Sequence, residues 1–162
     1  MLCLCMNYLS IETPLGKLTI AEDDGFVRNI YFEGEKPTDS RVDSDTEPSP
    51  ILQLAKEQLK EYFNGKRKVF DVPIKPIGGA FHVHVWETMM ERVPFGSVIT
   101  YSDLATLAGN PKASRAVGMA NNRNPIPIII PCHRVVGKGG NLTGFRWGLD
   151  VKTKLLAFES RT

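Results

Sequence analysis

Three successive residues, Cys132, His133 and Arg134, interrupt an otherwise apolar run, "IPIIIPCHRVV" at positions 126–136. A core strand has no use for a thiol, an imidazole and a guanidinium in a row; nucleophilic chemistry does. A thiol with a pKa of about 8.5 is only a few per cent thiolate at neutral pH, so a working cysteine needs a base or a positive field beside it. His133 and Arg134 are of the types that supply both. Consecutive strand residues point to opposite faces, so Cys132 and His133 meet only through a turn at "PCH" or through a bridging water. Pro131 offers the turn. With Pro125 and Pro127 it also stiffens the approach to the thiol and keeps backbone carbonyls out of regular pairing, as a binding pocket requires. The competing reading, Cys132 as an inert core residue, stays open on the dipeptide alone.

A chain of 162 residues, 42% hydrophobic, is long enough for one domain or two small ones with packed cores. No run reaches the roughly 18 apolar residues that span a bilayer, and "MLCLCMNYLS" lacks the basic region and cleavage site of a signal peptide. A cytoplasmic protein with no membrane partner is expected. Three cysteines, two of them only two positions apart, argue against a disulfide framework and for a free thiol at Cys132. The net charge of +2 divides unevenly. Residues 1–76 hold ten Lys/Arg against thirteen Asp/Glu, or −3, and residues 77–162 hold ten against five, or +5. A polyanion, if the protein binds one, meets the second half.

The elements that must position the thiol follow from periodicity. "YLSIET", "GKLTIAE" and "VRNIYFE" alternate apolar and polar residues between "PLG" and "DDG" turns, which predicts a three-stranded antiparallel meander. The acidic, Pro- and Ser-rich stretch at 33–50 reads as an exposed loop, followed by a helix at about 51–63 and a possible strand at "VFDVPI". "IKPIGGA" at 74–80 has the composition of a linker, which sets domains at 1–76 and 77–162. In the second half, "AFHVHVWETMMERV" predicts a helix and Ser102 an N-cap. A short helix, a Gly-Asn-Pro turn and a second helix of small residues then give the pattern of a helix-turn-helix. "DVKTKLLAFES" predicts a last amphipathic helix.

"IPCHRVV", preceded by "RAVGMANNRNP" and followed by "GNLTGFRWGLDVKTKLLAFE", resembles the active-site region of the 6-O-alkylguanine-DNA alkyltransferases, the methylated-DNA–protein-cysteine methyltransferases. The match covers about residues 81–159; the first 76 residues agree in layout only. The resemblance implies a two-domain α/β (α+β) fold, with a ribonuclease-H-like N-terminal domain and a helical C-terminal domain bearing the helix-turn-helix. It implies an irreversible, stoichiometric transfer of an alkyl group from oxygen 6 of guanine to Cys132, without cofactor or metal. His133 is then the base acting through a water, and Glu159 the carboxylate that orients it. Judged without the match, Glu159 reads as a solvated residue near a helix end. Tyr101 is implied as the phenol facing the guanine ring, and Asn124 as the hinge that holds the active-site turn against the recognition helix. The carbonyls of Cys132 and Val135 are implied as acceptors for the guanine amino group.

The implied partner is double-stranded DNA, met in the minor groove by a monomer with the damaged base flipped out, since a stacked base cannot reach a buried thiol. Arg115 matches the arginine that fills the vacated space. Ala113, Ser114, Ala116 and Gly118 let the helix approach closely, and Lys112, Arg123 and Arg134 are candidates for phosphate contacts. Three departures from the family pattern stand out. Met119 occupies a place often held by Gly or Ala, where it narrows the helix face or lines the pocket. Arg146 and Trp147 follow Phe145 where smaller residues are commoner, and they bear on pocket width. Cys3 and Cys5 do not reproduce the zinc spacing of some members, and with His82 and His84 they fall in separate predicted domains, so no metal is expected. The rival readings are a lesion-binding module without chemistry, which the presence of Cys132 disfavours, and a Cys132–His133–Glu159 hydrolase, which needs a thioester rather than a thioether intermediate.

Overall fold

The structure, a computed structural model, describes residues 6–35 and 47–162. Cys3, Cys5 and most of the acidic loop lie outside them. The chain divides into two compact units, Met1–Pro76 and Ile77–Thr162.

In the first unit β1 (Asn7–Thr13), β2 (Gly16–Asp23) and β3 (Phe26–Phe32) form an antiparallel sheet in that order. The "DDG" signal works through backbone conformation: Asp24 and Gly25 take φ of 52° and 81°, the left-handed pair that a tight hairpin between twisted strands needs. Helix α1 (Pro50–Phe63) packs on the sheet. It starts where Ser49 accepts a hydrogen bond from the Leu52 amide and proline occupies the first turn. Leu52, Ala55, Leu59 and Tyr62 form its buried stripe.

The segment read as a possible strand, Val69–Ile74, is irregular, joined to the sheet by one parallel bridge between Val27 and Ile74. Its amides go elsewhere. The buried Gln58 side chain accepts from the amides of Asp71 and Val72, both at 3.1 Å, which replaces a sheet ladder at those positions.

The second unit is helical. Helices α2 (Ala80–Arg92), α3 (Tyr101–Leu107) and α4 (Ser114–Asn122) pack on one another, α3 and α4 being the helix-turn-helix pair. Trp86 of α2 is buried and donates its indole N–H to the carbonyl of Ala120 in α4 at 2.8 Å. The cap of α3 is Thr100, whose hydroxyl accepts from the Asp103 amide at 3.1 Å. Ser102, expected in that role, lies inside the helix. Thr100 also belongs to β4 (Ile99–Thr100), which pairs in parallel with β5 (Val135–Val136). That short pairing ties the start of the helix-turn-helix to the residues just after Cys132-His133-Arg134. Helix α5 (Leu149–Arg161) packs against the Cys132–Arg134 turn. Among the described residues no helix is long and apolar enough to cross a membrane.

Candidate active site

Pro131 ends the apolar run, and Cys132–Arg134 form a single 3-10 turn. Three residues per turn send their side chains in three directions rather than two, so the alternation expected of a strand does not apply. Cys132, His133 and Arg134 are all buried. So is Glu159 of α5, which corrects its reading as a solvated residue. The Glu159 carboxylate takes His133 Nε2 on Oε2 at 2.7 Å, and Arg134 Nε on Oε1 at 2.7 Å and a terminal nitrogen on Oε2 at 3.0 Å. Arg134 donates again to the Val93 carbonyl at the end of α2, at 2.8 Å, and sits over the Phe95 ring. The expectation that Arg134 contacts phosphate is therefore corrected. Its guanidinium is spent inside the unit, tying the turn to α2 and α5.

The electrostatics of this cluster assign protons. Burial pushes the Glu159 carboxyl up, but hydrogen bonds and charge from His133 and Arg134 outweigh it and hold the group below the usual carboxylate range. An ionised carboxylate only accepts, so His133 Nε2 carries a proton and donates it. Burial pushes the His133 pKa down against the pull of Glu159, leaving a neutral ring at pH 7 with its lone pair on Nδ1. Nδ1 is buried and has no hydrogen-bond partner. Burial also pushes the Cys132 thiol up to about 11, against smaller opposing effects from Asn124 and the Lys152 charge. The resting group is a thiol beside an unprotonated base.

Lys152 is the site residue that sequence reasoning missed. It is fully buried in α5 and donates to the Val135 carbonyl at 2.6 Å, and burial pushes its pKa down. The signal was present: Lys152, Leu155 and Glu159 share the buried face of α5 at helical spacing.

The asparagines divide the expected hinge role. Asn124 spans its own loop, accepting from the Ile126 amide and donating to the Ile130 carbonyl, both at 2.9 Å. It holds Ile128 at φ 74°, a strained conformation for a β-branched residue. Asn124 also hydrogen-bonds the Cys132 side chain, and Asn121 of α4 adds a second tie to the turn, its Nδ2 donating to the Cys132 carbonyl at 3.2 Å.

A cavity of about 170 Å³ is lined by Tyr101, Gly118, Asn121, Asn122, Gly144, Phe145 and Arg146, and Asn121 links its wall to the Cys132 carbonyl. Tyr101, the first residue of α3, is pushed up by burial, and its hydroxyl donates to the Thr143 carbonyl at 3.3 Å. Phe145 and Trp147 meet edge to face, and the Arg146 guanidinium lies over Trp147. Met119 does not line this cavity: it is 54% exposed. Lys112, Arg115, Ala116 and Met119 form the exposed side of the α4 region, with Ala113, Ser114 and Gly118 partly covered and Arg123 exposed at the far end. His84 is committed to the Ala108 carbonyl at 2.8 Å, and His82 packs beside Trp86.

Fold and site together define a two-unit α/β protein in which a buried thiol, backed by a histidine–carboxylate pair, lies behind a helix-turn-helix. Residues 6–76 match the family described as 6-O-methylguanine DNA methyltransferase, ribonuclease-like domain, and residues 80–161 the DNA binding domain of the same enzyme. A methylated-DNA–protein-cysteine methyltransferase of Methanosarcina acetivorans is 45% identical over 154 residues, spanning 95% of this chain and 98% of the relative. The crystal structure of the Mycobacterium tuberculosis O6-methylguanine methyltransferase superposes with a TM-score of 0.83 at 37% identity, covering 96% of this chain and 93% of that one. The M. tuberculosis protein in complex with DNA gives 0.82 at 36% identity, covering 95% and 92%. The chain belongs to the 6-O-methylguanine-DNA methyltransferase family.

Proposed function

We propose that the protein repairs DNA by moving an alkyl group, methyl in the simplest case, from oxygen 6 of guanine onto Cys132, once per molecule. The observation that carries this reading is His133, with Nε2 fixed on Glu159 and Nδ1 unpartnered in the interior beside a protonated thiol. A water between Nδ1 and Sγ passes the thiol proton to the imidazole, and Glu159 stabilises the imidazolium. Sulfur then attacks the alkyl carbon opposite the C–O bond. The S–C bond forms as the C–O bond breaks, and the departing guanine takes up a proton, with Tyr101 the donor facing the ring. Lys152 offsets charge on the sulfur. The product is a thioether with no hydrolytic exit, so the protein is consumed.

Residues 77–162 carry both DNA binding and transfer in this reading, and the protein works as a monomer in the cytoplasm. The exposed side of the α4 region enters the minor groove, with Arg115 in the space left by the flipped base and Lys112 and Arg123 on phosphates. Intact mass after exposure to duplex containing 6-O-methylguanine tests the chemistry: one methyl per protein, located on Cys132, is expected. Repeated turnover, or a methyl elsewhere, would falsify it.

Arg115 has its own test. Rotating a base out of a duplex costs a few kcal/mol, and none of that applies to a free base. Arg115→Ala is expected to slow single-turnover repair of duplex by about 10²-fold or more and the reaction with free 6-O-methylguanine much less. Arg115→Lys should restore only part of the duplex rate, because an ammonium does not stack as the planar guanidinium does. Equal losses on both substrates would assign Arg115 to the pocket or the fold.

A further inference from the structure

One residue that departs from the family pattern has no part in the proposed reaction. Met119 is 54% exposed, more than any other large apolar side chain on a described helix; Leu149, the next, is at 45%. Single exposed apolar residues are ordinary on protein surfaces. The position of Met119 on α4 is not. Val117, Ala120 and Asn121 are the buried residues of that helix, and the Trp86 indole holds its inner side by donating to the Ala120 carbonyl at 2.8 Å. Gly118 faces Tyr101, whose ring lies 3.8 Å from where a Cβ would stand. These contacts fix the rotation of α4 about its axis. They leave Arg115, Ala116, Met119 and Asn122 exposed, together with Arg123 just past the helix end.

At about 100° per residue, Met119 stands in the middle of that exposed arc, within about 60° of each of the other four. Arg115 precedes it by four positions and Arg123 follows it by four, so the thioether projects between two cations on one line of the helix. In the proposed function this face enters the minor groove, which is only about 6 Å wide. A methionine at its centre has two courses. Holding the helix back from the groove floor would also keep Arg115 from the base gap. Entering ahead of the helix puts a flexible, polarisable apolar side chain against base edges and sugars, where it gains by leaving water. Only the second agrees with the role given to Arg115. Four residues advance about 6 Å along the axis, less than two base steps at about 3.4 Å each, so the thioether meets a step adjoining the vacated one. Apolar side chains inserted at such steps partly unstack them and kink the duplex.

Resting on the alkyl-transfer reading, we infer that Met119 is an apolar wedge that presses into the minor-groove edge of a base step beside the target, kinking the duplex and easing rotation of the damaged base out of the stack. It is a positioning residue, acting on the stack and not on the reacting atoms. The wedge also sets a sequence preference. Pyrimidine–purine steps kink and unstack most easily, so damaged guanines next to such steps are repaired faster.

The test uses the full chain with Met119→Ala, Met119→Gln and Met119→Leu. Alanine removes the reach, glutamine keeps the length without the apolar character, and leucine keeps an apolar side chain of similar size. All three are good helix formers at an exposed position, so the fold is retained. Energy transfer between fluorophores at the two ends of a methylated duplex, measured with Cys132→Ala added so that no methyl moves, reports the bend. Single-turnover rates on duplex and on free 6-O-methylguanine report the chemistry. The alanine and glutamine variants are expected to bend DNA less, to lower the ratio of duplex rate to free-base rate by about tenfold, and to lose the preference for pyrimidine–purine steps; leucine should keep wild-type behaviour. A wild-type bend and ratio in the alanine variant overturn the inference. So does a faster duplex reaction in that variant, which would make Met119 an obstacle, and so does a reduced bend with an unchanged ratio, which would separate the kink from base rotation. Wild type inert on duplex and free base alike overturns the alkyl-transfer reading itself, a distinct result from transfer that ignores Met119.

Discussion

Cys132→Ala is expected to transfer no methyl group and to hold methylated duplex within about threefold of wild type, because phosphate and groove contacts, not the thiol, supply the affinity. The physical basis is the separation of two surfaces in the second unit. Cys132 is buried behind α4, whereas Lys112, Arg115 and Arg123 are exposed. Removing one sulfur from the interior leaves that surface alone. Intact mass and a binding titration on the same preparation check both halves of the statement. A folded variant whose binding collapses would place the thiol in the recognition step.

Glu159→Gln has the other large expected effect, and it acts on stability as well as rate. The Arg134 guanidinium makes two contacts to the Glu159 carboxylate and one to the Val93 carbonyl. Replacing the carboxylate by a neutral amide leaves that cation buried without its counter-ion, a loss of about 3–5 kcal/mol. The amide also no longer fixes the His133 tautomer, so transfer should slow by about 10²-fold or more. Acid exposes the same dependence in wild type. The Glu159 pKa is depressed on folding, so its contribution is present above the unfolded value near 4.3 and is lost as pH falls below it. The His133 pKa is also depressed; the unfolded chain takes up that proton first, so stability already begins to fall below about pH 6.5. In denaturant melts the gap between the two proteins should therefore narrow as pH falls from about 4.3 toward 3. A constant gap would mean that Glu159 contributes packing rather than charge.

The sequence made the chemistry of this site more legible than its geometry. Pro-Cys-His-Arg marked the reactive turn because the residue types are expensive to place in a core and have few other uses. The two helices around Gly-Asn-Pro were readable from their breaker residues, and the meander from its alternation and "DDG" turn. Side-chain direction beyond a regular period was not readable. Arg134 counted as a surface cation because nothing in "CHRVV" reveals a 3-10 turn that swings it toward α5. Lys152 was passed over because a lysine is assigned to solvent by default, although its spacing to Leu155 and Glu159 placed it inside. Asn124 and Asn121 differ by three positions, and only the path of the 124–130 loop makes Asn124 close that loop while Asn121, inside α4, reaches the Cys132 carbonyl. The Val69–Ile74 segment has strand composition, yet Gln58 captured the amides that a ladder needs.

The inward turn of Arg134 also changes what the charge of the second half means to a nucleic acid. Of the ten basic residues between 77 and 162, Arg134 and Lys152 are buried, and neither is available to displace counterions from a phosphate backbone. The exposed cations of the α4 region are Lys112, Arg115 and Arg123, and the proposed function uses Arg115 in the base gap. Two or three phosphate neutralisations correspond to a slope of about −2 to −3 in log affinity against log salt. A fourfold rise in ionic strength then weakens binding by only about 16- to 64-fold, a shallow response that leaves the protein able to search DNA across the range of salt a cell experiences.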